Sequence, residues 1–394
     1  MAQRKKPAVA RPPTAQRLPL PAGAQLRQLQ RHLLSWFDRR KRALPWRKTR
    51  DPYRIWISEV MLQQTRVAAV LPFYERFLAR FPTVRALARA PQEAVLEAWA
   101  GLGYYSRARN LQRAAKEIVR KHRGRFPQIL EDALALPGVG RYTAAAVLSI
   151  AFDAPLAVLD GNVARVLARL GARRGDVRQP AMWRRLQSAA EALLAPAPHG
   201  TPGAWNQAMM ELGATVCTPR APACGECPVA RFCRARAMGL QEQIPGKRPK
   251  RAPVDVRLAA AVLLDPLRRT LLVLPEDGAG NGLFSRMWQF PALEVGSGAE
   301  GALRRHLRES LALEAAECVA LPAARHTVTF RRVTLLPFLV PVEELPEVRR
   351  PRAAAGDSTR IALADVERWP TSSATRKIAR AALRGVQAAF RFPH

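Results

Sequence analysis

Apolar positions between Leu26 and about Gly239 recur every three or four residues, the spacing of one face of an α-helix. The segment LRQLQRHLLSWF shows this spacing, and LPGVGRYTAAAVLSIAF combines a tight turn with an apolar helix. In RDPYRIWISEVMLQQT, Asp51 is expected to cap a helix whose first turn holds Pro52. The pattern predicts an all-α region over residues 26–240.

The pattern changes after IPGKRPKRAP at 244–253, a basic and proline-rich stretch typical of an exposed linker. Beyond it, LAAAVLLD and TLLVLPE are expected to be two strands paired around the turn DPLRR. A helix over roughly Glu300–Leu313 follows, with further strands in TVTFRRVTLLPFLV. We therefore predict a linker over 241–254 and an α+β domain over 255–394.

The charge of the chain is far from balanced. Sixty-four Lys and Arg residues against 31 Asp and Glu residues give a net charge of +33 over 394 residues. Such an excess attracts polyanions, of which nucleic acid is the commonest. An arginine-rich genomic composition would give the same charge without any such partner, so charge alone names no chemistry.

Residues 1–25 contain basic residues and prolines but no acid, and they lack the continuous apolar segment of a secretory signal. We expect a disordered basic tail here. The longest apolar candidate for a membrane span, Thr143–Leu159, is interrupted by Asp153 and Pro155. The sequence therefore predicts a soluble, intracellular protein that does not enter a membrane.

Four of the five cysteines lie close together with the spacing C-x6-C-x2-C-x5-C: Cys217, Cys224, Cys227 and Cys233. Four thiolates at these intervals suit zinc or an iron–sulfur cluster, and disulfides are not expected in a protein without a secretion signal. Only one pair has the C-x2-C spacing, which favours iron but leaves zinc open. Arg220, between the first two cysteines, is expected either to bind a phosphate or to be solvated. The distant Cys318 is expected to be a buried or free thiol.

Three further features carry candidate chemistry. Pro137-Gly138-Val139-Gly140 between two helices lets backbone N–H groups approach a DNA phosphate, or is an ordinary interhelical turn. Glu59 shares a helix face with Ile55 and Leu62, so that burial would favour its protonated form, as in a general acid. The alternative is a solvated helix glutamate. Asp160 in LDGNV is a helix cap unless its neighbours give it another role.

Several motifs occur together and in order: PWR (45–47), SEVMLQQT (58–65), GLGYYSRARN (101–110), LPGVGRYTA (136–144), LDGNV (159–163), NQAMMELG (206–213) and the four cysteines. They resemble the MutY-type adenine DNA glycosylases of the helix-hairpin-helix superfamily over most of residues 33–250. The resemblance implies an all-α helix-hairpin-helix glycosylase fold with an iron–sulfur loop, followed by a C-terminal α+β Nudix-like domain.

Enzymes of this family excise adenine mispaired with 8-oxoguanine or guanine, after flipping the adenine out of the duplex. By this resemblance Glu59 protonates the adenine at N7, and Asp160 stabilises the resulting sugar cation. Tyr142 and Asn162 match positions that support this aspartate.

The resemblance also assigns binding roles. Arg47 and Gln207 match adenine-pocket residues, and Gln64 and Tyr104 match side chains that wedge into the base stack. The hairpin residues Gly138, Val139 and Gly140, and Arg220 in the cysteine loop, stay the candidates for DNA-phosphate contacts that the residues themselves suggest. The four cysteines would hold a 4Fe–4S cluster with a structural and DNA-docking role.

Position 142 separates subclasses of the superfamily. Endonuclease III-type relatives place a lysine there, which forms a Schiff base and leads to strand cleavage, whereas Tyr142 cannot form an imine. Ala164 also lacks an amine that some relatives carry. We therefore expect base removal without efficient strand cleavage.

The C-terminal residues resemble, more weakly, the MutT-like (Nudix-fold) module that recognises 8-oxoguanine in this family. Arg308-Glu309 is not followed by the glutamate pair that binds magnesium in Nudix hydrolases, so no pyrophosphatase activity is expected. The damage-sensing loop is expected at Val328-Thr329-Phe330, where Thr329 would donate a hydrogen bond and Phe330 would stack. A shifted alignment would give this role to His326.

The expected partner is double-stranded DNA with an A:8-oxoG or A:G mismatch, bound by a monomer in the bacterial cytoplasm at the nucleoid. Two other readings remain: an endonuclease III-like glycosylase/lyase, and a non-catalytic iron–sulfur DNA-binding protein. The net charge, the hairpin and the cysteine cluster are expected in all three of these classes of protein. Only Glu59, Asp160 and Tyr142 discriminate between them.

Overall fold

The computed structural model describes residues 18–195, 201–246, 252–274, 287–328, 330–346, 358–369 and 371–389. The chain forms two compact units. The first unit comprises Met1–Val67, Thr83–Arg85 and Ala114–Pro249, and the second comprises Ala68–Pro82, Ala86–Arg113 and Lys250–His394. Helical residues are thus grouped with C-terminal ones in the second unit, and the division at residues 241–254 stays a prediction.

The chain from residue 23 to residue 237 is helical, as predicted. Its α-helices are α1 (Gly23–Arg40), α2 (Pro52–Leu62), α3 (Val67–Arg80), α4 (Val84–Arg89), α5 (Gln92–Trp99), α6 (Ser106–Lys121), α7 (Leu130–Leu134), α8 (Arg141–Phe152), α9 (Gly161–Leu170), α10 (Pro180–Leu194), α11 (Pro202–Thr215) and α12 (Arg234–Ala237). Short 3-10 turns lie at Pro45–Arg47 and Ala230–Phe232. Among the described residues, no helix is long and apolar enough to cross a membrane.

The start of this region corrects one prediction. Leu18 is buried, and its Cδ2 lies only 2.8 Å from where a Cβ on Gly171 would be. Helix α1 begins at Gly23. The predicted tail of residues 1–25 is therefore too long at its C-terminal end, because burial of apolar Leu18 orders the chain there. Residues 1–17 lie outside the described part of the chain.

Helices α2, α8, α9 and α11 build the centre of the first unit. The Asp51 carboxylate accepts a hydrogen bond of 2.9 Å from the Tyr53 N–H and Pro52 occupies the first turn of α2, as predicted. A Cβ on Gly203 of α11 would lie 2.6 Å from the Ser149 carbonyl oxygen of α8, and one on Gly213 would lie 2.7 Å from Asn162 Cβ of α9. The two glycines thus let α11 approach both helices closely.

The second unit contains residues of α3–α6 and an α+β part, whose predicted class is confirmed. Its elements are β1 (Val254–Leu264), β2 (Arg269–Val273), β3 (Ala292–Glu294), α13 (Ala299–Leu311), β4 (Val319–Ala320), β5 (Ala324–Val328), β6 (Arg331–Pro341), β7 (Ser358–Ala362) and α14 (Ser373–Ala389), with a 3-10 turn at Leu363–Asp365. The larger sheet has the order β3-β1-β6-β4, and β5 also pairs with β6. Strands β1 and β6 run parallel, with Ala259 opposite Leu336.

The predicted pairing of β1 with β2 is wrong. The turn forms, since the Asp265 N–H donates to the Arg269 carbonyl at 3.1 Å. Strand β1 pairs with β6 along its whole length and with β3 at Leu258–Ala260, whereas β2 pairs antiparallel with β7 in a separate sheet. Alternate residues of β1 then contribute to two apolar cores, one that includes Ile378 of α14 and one that includes Leu307 of α13.

Candidate active site

A cavity of about 520 Å³ opens in the first unit between α2, α8, α9 and α11. This volume suits a small organic ligand or an extruded base. The structure brings together in its lining seven residues predicted from the sequence: Arg47, Glu59, Gln64, Tyr142, Asp160, Asn162 and Gln207. The cavity is therefore the candidate active site.

Glu59 is a buried acid, as predicted, with only 5% of its surface exposed. The Tyr142 hydroxyl donates to Glu59 Oε2 at 2.6 Å. Burial raises the pKa of Glu59 to about 7, aided by the charge of Asp160 and opposed by the Tyr142 hydrogen bond and the charge of Arg47. The carboxyl can therefore both hold and release a proton near neutral pH.

Asp160 caps α9, and its carboxylate is fixed by two donors. The Val163 N–H lies 2.7 Å from Oδ1, and Asn162 Nδ2 lies 3.0 Å from Oδ2. Burial raises the pKa of Asp160, while these hydrogen bonds oppose the rise. The capping and chemical readings of this residue are thus compatible, because the cap orients a carboxylate that also lines the cavity.

Asn162 donates to Asp160, whereas Tyr142 contacts the other carboxyl of the cavity, and the supporting roles of both residues stay predictions. The Tyr142 hydroxyl donates to Glu59 rather than to Asp160. The reason is local: Tyr142 lies in the first turn of α8, which packs against α2. Burial raises the pKa of Tyr142 well above its ordinary value, and both carboxyls add to the rise, so the phenol stays a donor.

Sequence reasoning missed Glu211, which is 1% exposed and lines the cavity. Arg42 donates to it through Nε at 2.8 Å and Nη2 at 2.7 Å, and Arg47 Nη2 lies 2.8 Å from Oε2. Burial raises the pKa of Glu211, but these hydrogen bonds outweigh it and hold the pKa to about 2. The signal was available, because Glu211 lies one helical turn after Gln207.

A second missed residue, Arg165, connects the cavity to the cysteine loop. Its Nη2 donates to Asn162 Oδ1 and to the Gly213 carbonyl, both at 2.8 Å, and its Nε donates to the Cys217 carbonyl at 2.8 Å. Asn162 in turn donates to Asp160. A continuous chain of hydrogen bonds therefore runs from the capping aspartate to the first cysteine.

The four cysteines lie close enough to influence one another. Burial raises the pKa of Cys227 to about 12, and the charges of Cys217, Cys233 and Cys224 add to the rise. None of the described cysteines forms a disulfide. Arg169 Nη1 donates to Cys217 Sγ at 3.2 Å, which brings a cation to the thiol group. Four clustered thiols beside a buried cation form a donor set that fits an iron–sulfur cluster, since its thiolates are anionic.

The predicted DNA-contact residues of the first unit lie on exposed turns or beside the cavity. Gly138 has a φ of 75° in the turn between α7 and α8, and Val139 there is buried, its N–H donating to the Leu136 carbonyl at 3.1 Å. Gly140 precedes α8 in an extended conformation. Gln64 has a φ of 57°, rare for a residue with a Cβ, and Arg220 is exposed.

The remaining predicted residues belong to the second unit. Tyr104 is 54% exposed and has a φ of 50°. His326 is half-buried on β5 opposite Val333, and burial lowers its pKa. Phe330 directly precedes β6, with the Arg331 guanidinium 5.6 Å from its ring centre. Thr329 lies outside the described residues.

Two family models match the chain. Residues 57–191 match the HhH-GPD superfamily base excision DNA repair protein, and residues 217–233 match the iron–sulfur binding domain of endonuclease III. The second match covers all four clustered cysteines. The cofactor of this loop is therefore an iron–sulfur cluster of the 4Fe–4S type, as predicted, rather than zinc.

Several relatives are similar to the chain. The adenine DNA glycosylase of Mycolicibacterium smegmatis is 41% identical over 237 residues, which cover 60% of this chain and 79% of that protein. The human adenine DNA glycosylase is 39% identical over 66% of this chain and 56% of its own length. The rat enzyme is 47% identical over 57% of this chain and 45% of its own length. The chain thus spans about half the length of these mammalian relatives.

Among solved structures, a thermostable thymine-DNA glycosylase is similar, with a TM-score of 0.49 and 29% sequence identity. The alignment covers 54% of this chain and 97% of that one.

Proposed function

The chain belongs to the adenine DNA glycosylase family, and from that membership we propose that it removes adenine from DNA by hydrolysing the N-glycosidic bond in base excision repair. The observation that carries this proposal is the pair of buried carboxyls, Glu59 and Asp160, in one cavity. Their settings differ, since a phenol contacts one and two N–H donors fix the other. Divided roles of this kind are those of an acid and of a cation stabiliser in glycoside hydrolysis.

Glu59 supplies the proton in this mechanism. The Tyr142 hydroxyl occupies Oε2, so that Oε1 is the oxygen that presents the acidic proton to adenine N7. Protonation turns a poor leaving group into a neutral one, and the electrons of the glycosidic bond then leave with the base. A pKa of about 7 places this acid near the pH at which it operates.

Asp160 stabilises the positive charge that develops on the sugar as the base leaves. It acts as a carboxylate, and the donors Val163 and Asn162 prevent it from turning away. Water then adds to the sugar and gives up a proton to a carboxylate of the cavity, which completes hydrolysis. Position 142 carries a phenol rather than an amine, which supports base removal without a Schiff base and strand cleavage.

We assign the rest of the cavity to the extruded adenine. Arg47 and Gln207 line it, and Glu211 holds Arg47 in place through the 2.8 Å ion pair. Gln64 and Tyr104 are the proposed wedges that fill the stack as the base leaves, at a cost of a few kcal/mol for unstacking. The turn Gly138-Val139-Gly140 and Arg220 are assigned to phosphate contacts.

The proposed substrate is adenine opposite 8-oxoguanine or guanine in double-stranded DNA, bound by a monomer at the nucleoid of the bacterial cytoplasm. Recognition of the opposite base is assigned to the C-terminal residues, through His326, Thr329 and Phe330. The half-buried position of His326 and the Phe330 ring beside Arg331 suit stacking on a base. We propose that Cys217, Cys224, Cys227 and Cys233 hold the cluster, which supplies structure and DNA docking rather than chemistry at the base.

Glu59→Gln tests the assigned acid. This variant keeps the shape of the side chain and its acceptor for Tyr142 but has no acidic proton. Single-turnover release of adenine from an A:8-oxoG duplex should fall on the order of a thousandfold, with duplex affinity unchanged. The matched control is Glu93→Gln, an exposed glutamate of α5, which should release adenine as the unmodified protein does. Equal release by both variants would remove Glu59 from this role.

A further inference from the structure

We propose that Arg107 is a positioning residue that holds the loop Gly101–Tyr104 in the shape that presents the Tyr104 ring to the base stack. The inference rests on the proposed role of Tyr104 as a wedge, and it adds a residue that acts through Tyr104. Arg107 and Tyr104 both belong to the second unit, as do the contacts between them.

The loop has an unfavourable backbone conformation. It connects α5 to α6, and three of its four residues have a positive φ: Gly101 at 105°, Gly103 at 70° and Tyr104 at 50°. Glycine tolerates such values, but a tyrosine in the left-handed region is disfavoured by its Cβ. Contacts from outside the loop must therefore hold Tyr104 in this conformation.

Arg107 and its neighbour Trp99 provide those contacts. Arg107 Nη2 donates to the Leu102 carbonyl at 3.3 Å and the Gly103 carbonyl at 3.2 Å, and its backbone N–H donates to the Tyr104 carbonyl at 2.9 Å. Trp99 Nε1 also donates to the Gly103 carbonyl, at 3.1 Å. Three consecutive loop carbonyls thus accept hydrogen bonds from the two helices that flank the loop.

The Arg107 guanidinium also contacts two aromatic rings, one buried and one exposed. Its central carbon lies 5.4 Å from the centre of the Trp99 ring and 5.2 Å from that of Tyr104. Trp99 is fully buried, whereas Tyr104 is 54% exposed. A cation against the Tyr104 ring favours one orientation of an aromatic side chain that little else covers.

The burial of Arg107 distinguishes a role in positioning the loop from direct contact with a DNA phosphate. Arg107 is only 9% exposed, so its guanidinium faces the loop and the two rings rather than solvent. Arg113 on the same helix is exposed. The two arginines carry the same charge, so replacing Arg113 controls for the general loss of one cation near DNA.

The first test is hydrogen exchange in the free protein, which does not depend on any activity. Arg107→Gln should speed exchange of the 101–105 backbone amides about tenfold, and Arg113→Gln should leave it unchanged. Arg107→Lys keeps the charge but lacks the planar fork that reaches two carbonyls, so it should give an intermediate increase. Unchanged exchange in Arg107→Gln overturns the proposal.

The second test asks whether Arg107 acts through Tyr104. Adenine release from an A:8-oxoG duplex is measured in single turnover for Arg107→Gln, Tyr104→Ala and the double variant. Each single variant should be about tenfold slower, and the double variant no slower than Tyr104→Ala. Losses that multiply would show that Arg107 acts independently, which overturns the proposal.

A Tyr104→Ala variant that releases adenine at the full rate overturns the wedge assignment and, with it, the purpose given to Arg107. A wild-type protein that releases no adenine contradicts the proposed function instead, while the exchange data still report on the loop. The two failures are therefore distinguishable.

Discussion

Glu59 illustrates how a single residue acquires its chemistry from burial. An exposed glutamate is ionised at neutral pH, but desolvation raises the pKa of this one to about 7 despite a hydrogen bond from Tyr142 and the nearby charge of Arg47. Burial therefore outweighs two opposing effects. Burial also raises the pKa of Asp160, but two N–H groups donate to its carboxylate and favour the ionised form.

This difference predicts the pH dependence of adenine release. The active form needs a protonated Glu59 and an ionised Asp160, so the single-turnover rate should fall as the pH rises above about 7, towards tenfold per pH unit. The measurement is the rate constant between pH 5 and 9 at saturating protein. A rate that stays constant from pH 7 to 9 would contradict the assignment.

The same shift predicts a stability effect. Below the ordinary pKa of 4.5 the Glu59 carboxyl is protonated in both the folded and unfolded states and contributes no difference. Between pH 4.5 and about 7 the unfolded state ionises first, so the free energy of unfolding decreases as pH rises, and above 7 the loss is complete. Glu59→Gln removes this effect and should stabilise the protein by about 3 kcal/mol at pH 8.

Urea unfolding of Glu59→Gln and Glu93→Gln at pH 5 and pH 8 checks this prediction. The stabilisation should be confined to Glu59→Gln and should be larger at pH 8. Equal stability of the two variants at both values would contradict the buried, uncharged setting of Glu59.

At this scale the sequence predicted residues whose own neighbours or motif indicate a role, and it missed buried partners that only the fold brings together. Glu59 and Asp160 stand in SEVMLQQT and LDGNV, and apolar neighbours on the helix already indicated burial of Glu59. Glu211 lies in NQAMMELG, one helical turn after Gln207, but its ion pair with Arg42 could not be predicted because Arg42 is 169 residues away along the chain. The contact of Tyr142 with Glu59 could not be predicted for the same reason, since the packing of α8 against α2 decides it.

At the scale of elements, α9 joins the candidate active site to the iron–sulfur loop. Asp160 caps its first turn, and Arg165 lies on the following turn, with hydrogen bonds to Asn162 and to the Cys217 carbonyl. Arg169, one turn further, donates to Cys217 Sγ and to the Thr218 carbonyl. One face of a single helix therefore contacts both sites.

Arg165→Met should affect both sites at once. Its loss leaves Asn162 and two backbone carbonyls without a buried donor, so adenine release should slow by about tenfold or more, and the purified protein should hold less iron per chain. Arg174→Met, an exposed arginine shortly after α9, is the control. Iron analysis and single-turnover assays make the comparison. Equal iron contents and equal rates of adenine release in the two variants would show that the hydrogen bonds of Arg165 affect neither site.

Helices were predicted correctly where the apolar periodicity and the capping residues agreed. Strand pairing was predicted poorly, because several strands can compete for the same partner. The Asp51 cap and the hairpin between α7 and α8 follow from local sequence. The pairing of β1 with β2 did not, because strand pairing depends on which other strands of the fold compete as partners. Here β6 pairs with β1 and β7 pairs with β2, both from much later in the chain, and no local signal indicates these partners.

At the scale of the whole molecule, the net charge of +33 predicts how the affinity for DNA depends on salt. Displacement of counterions from DNA should make affinity strongly dependent on salt, with a loss of about a thousandfold or more between 50 and 200 mM salt. Titration of a labelled duplex without a mismatch at several salt concentrations gives the slope. Glu59→Gln should give the same slope, because its change lies in the cavity. An affinity that does not vary with salt would contradict a backbone-binding role for the charge.

The central claim is that this chain removes adenine and does not cut the strand. Its most direct test is single-turnover reaction with labelled duplexes that carry adenine opposite 8-oxoguanine, guanine, cytosine or thymine, each analysed with and without hot alkali. Breaks at adenine opposite 8-oxoguanine and guanine that require alkali are the predicted result. Breaks without alkali would indicate a lyase, and tight binding without any breaks would indicate a non-catalytic DNA-binding protein; either result would contradict the claim.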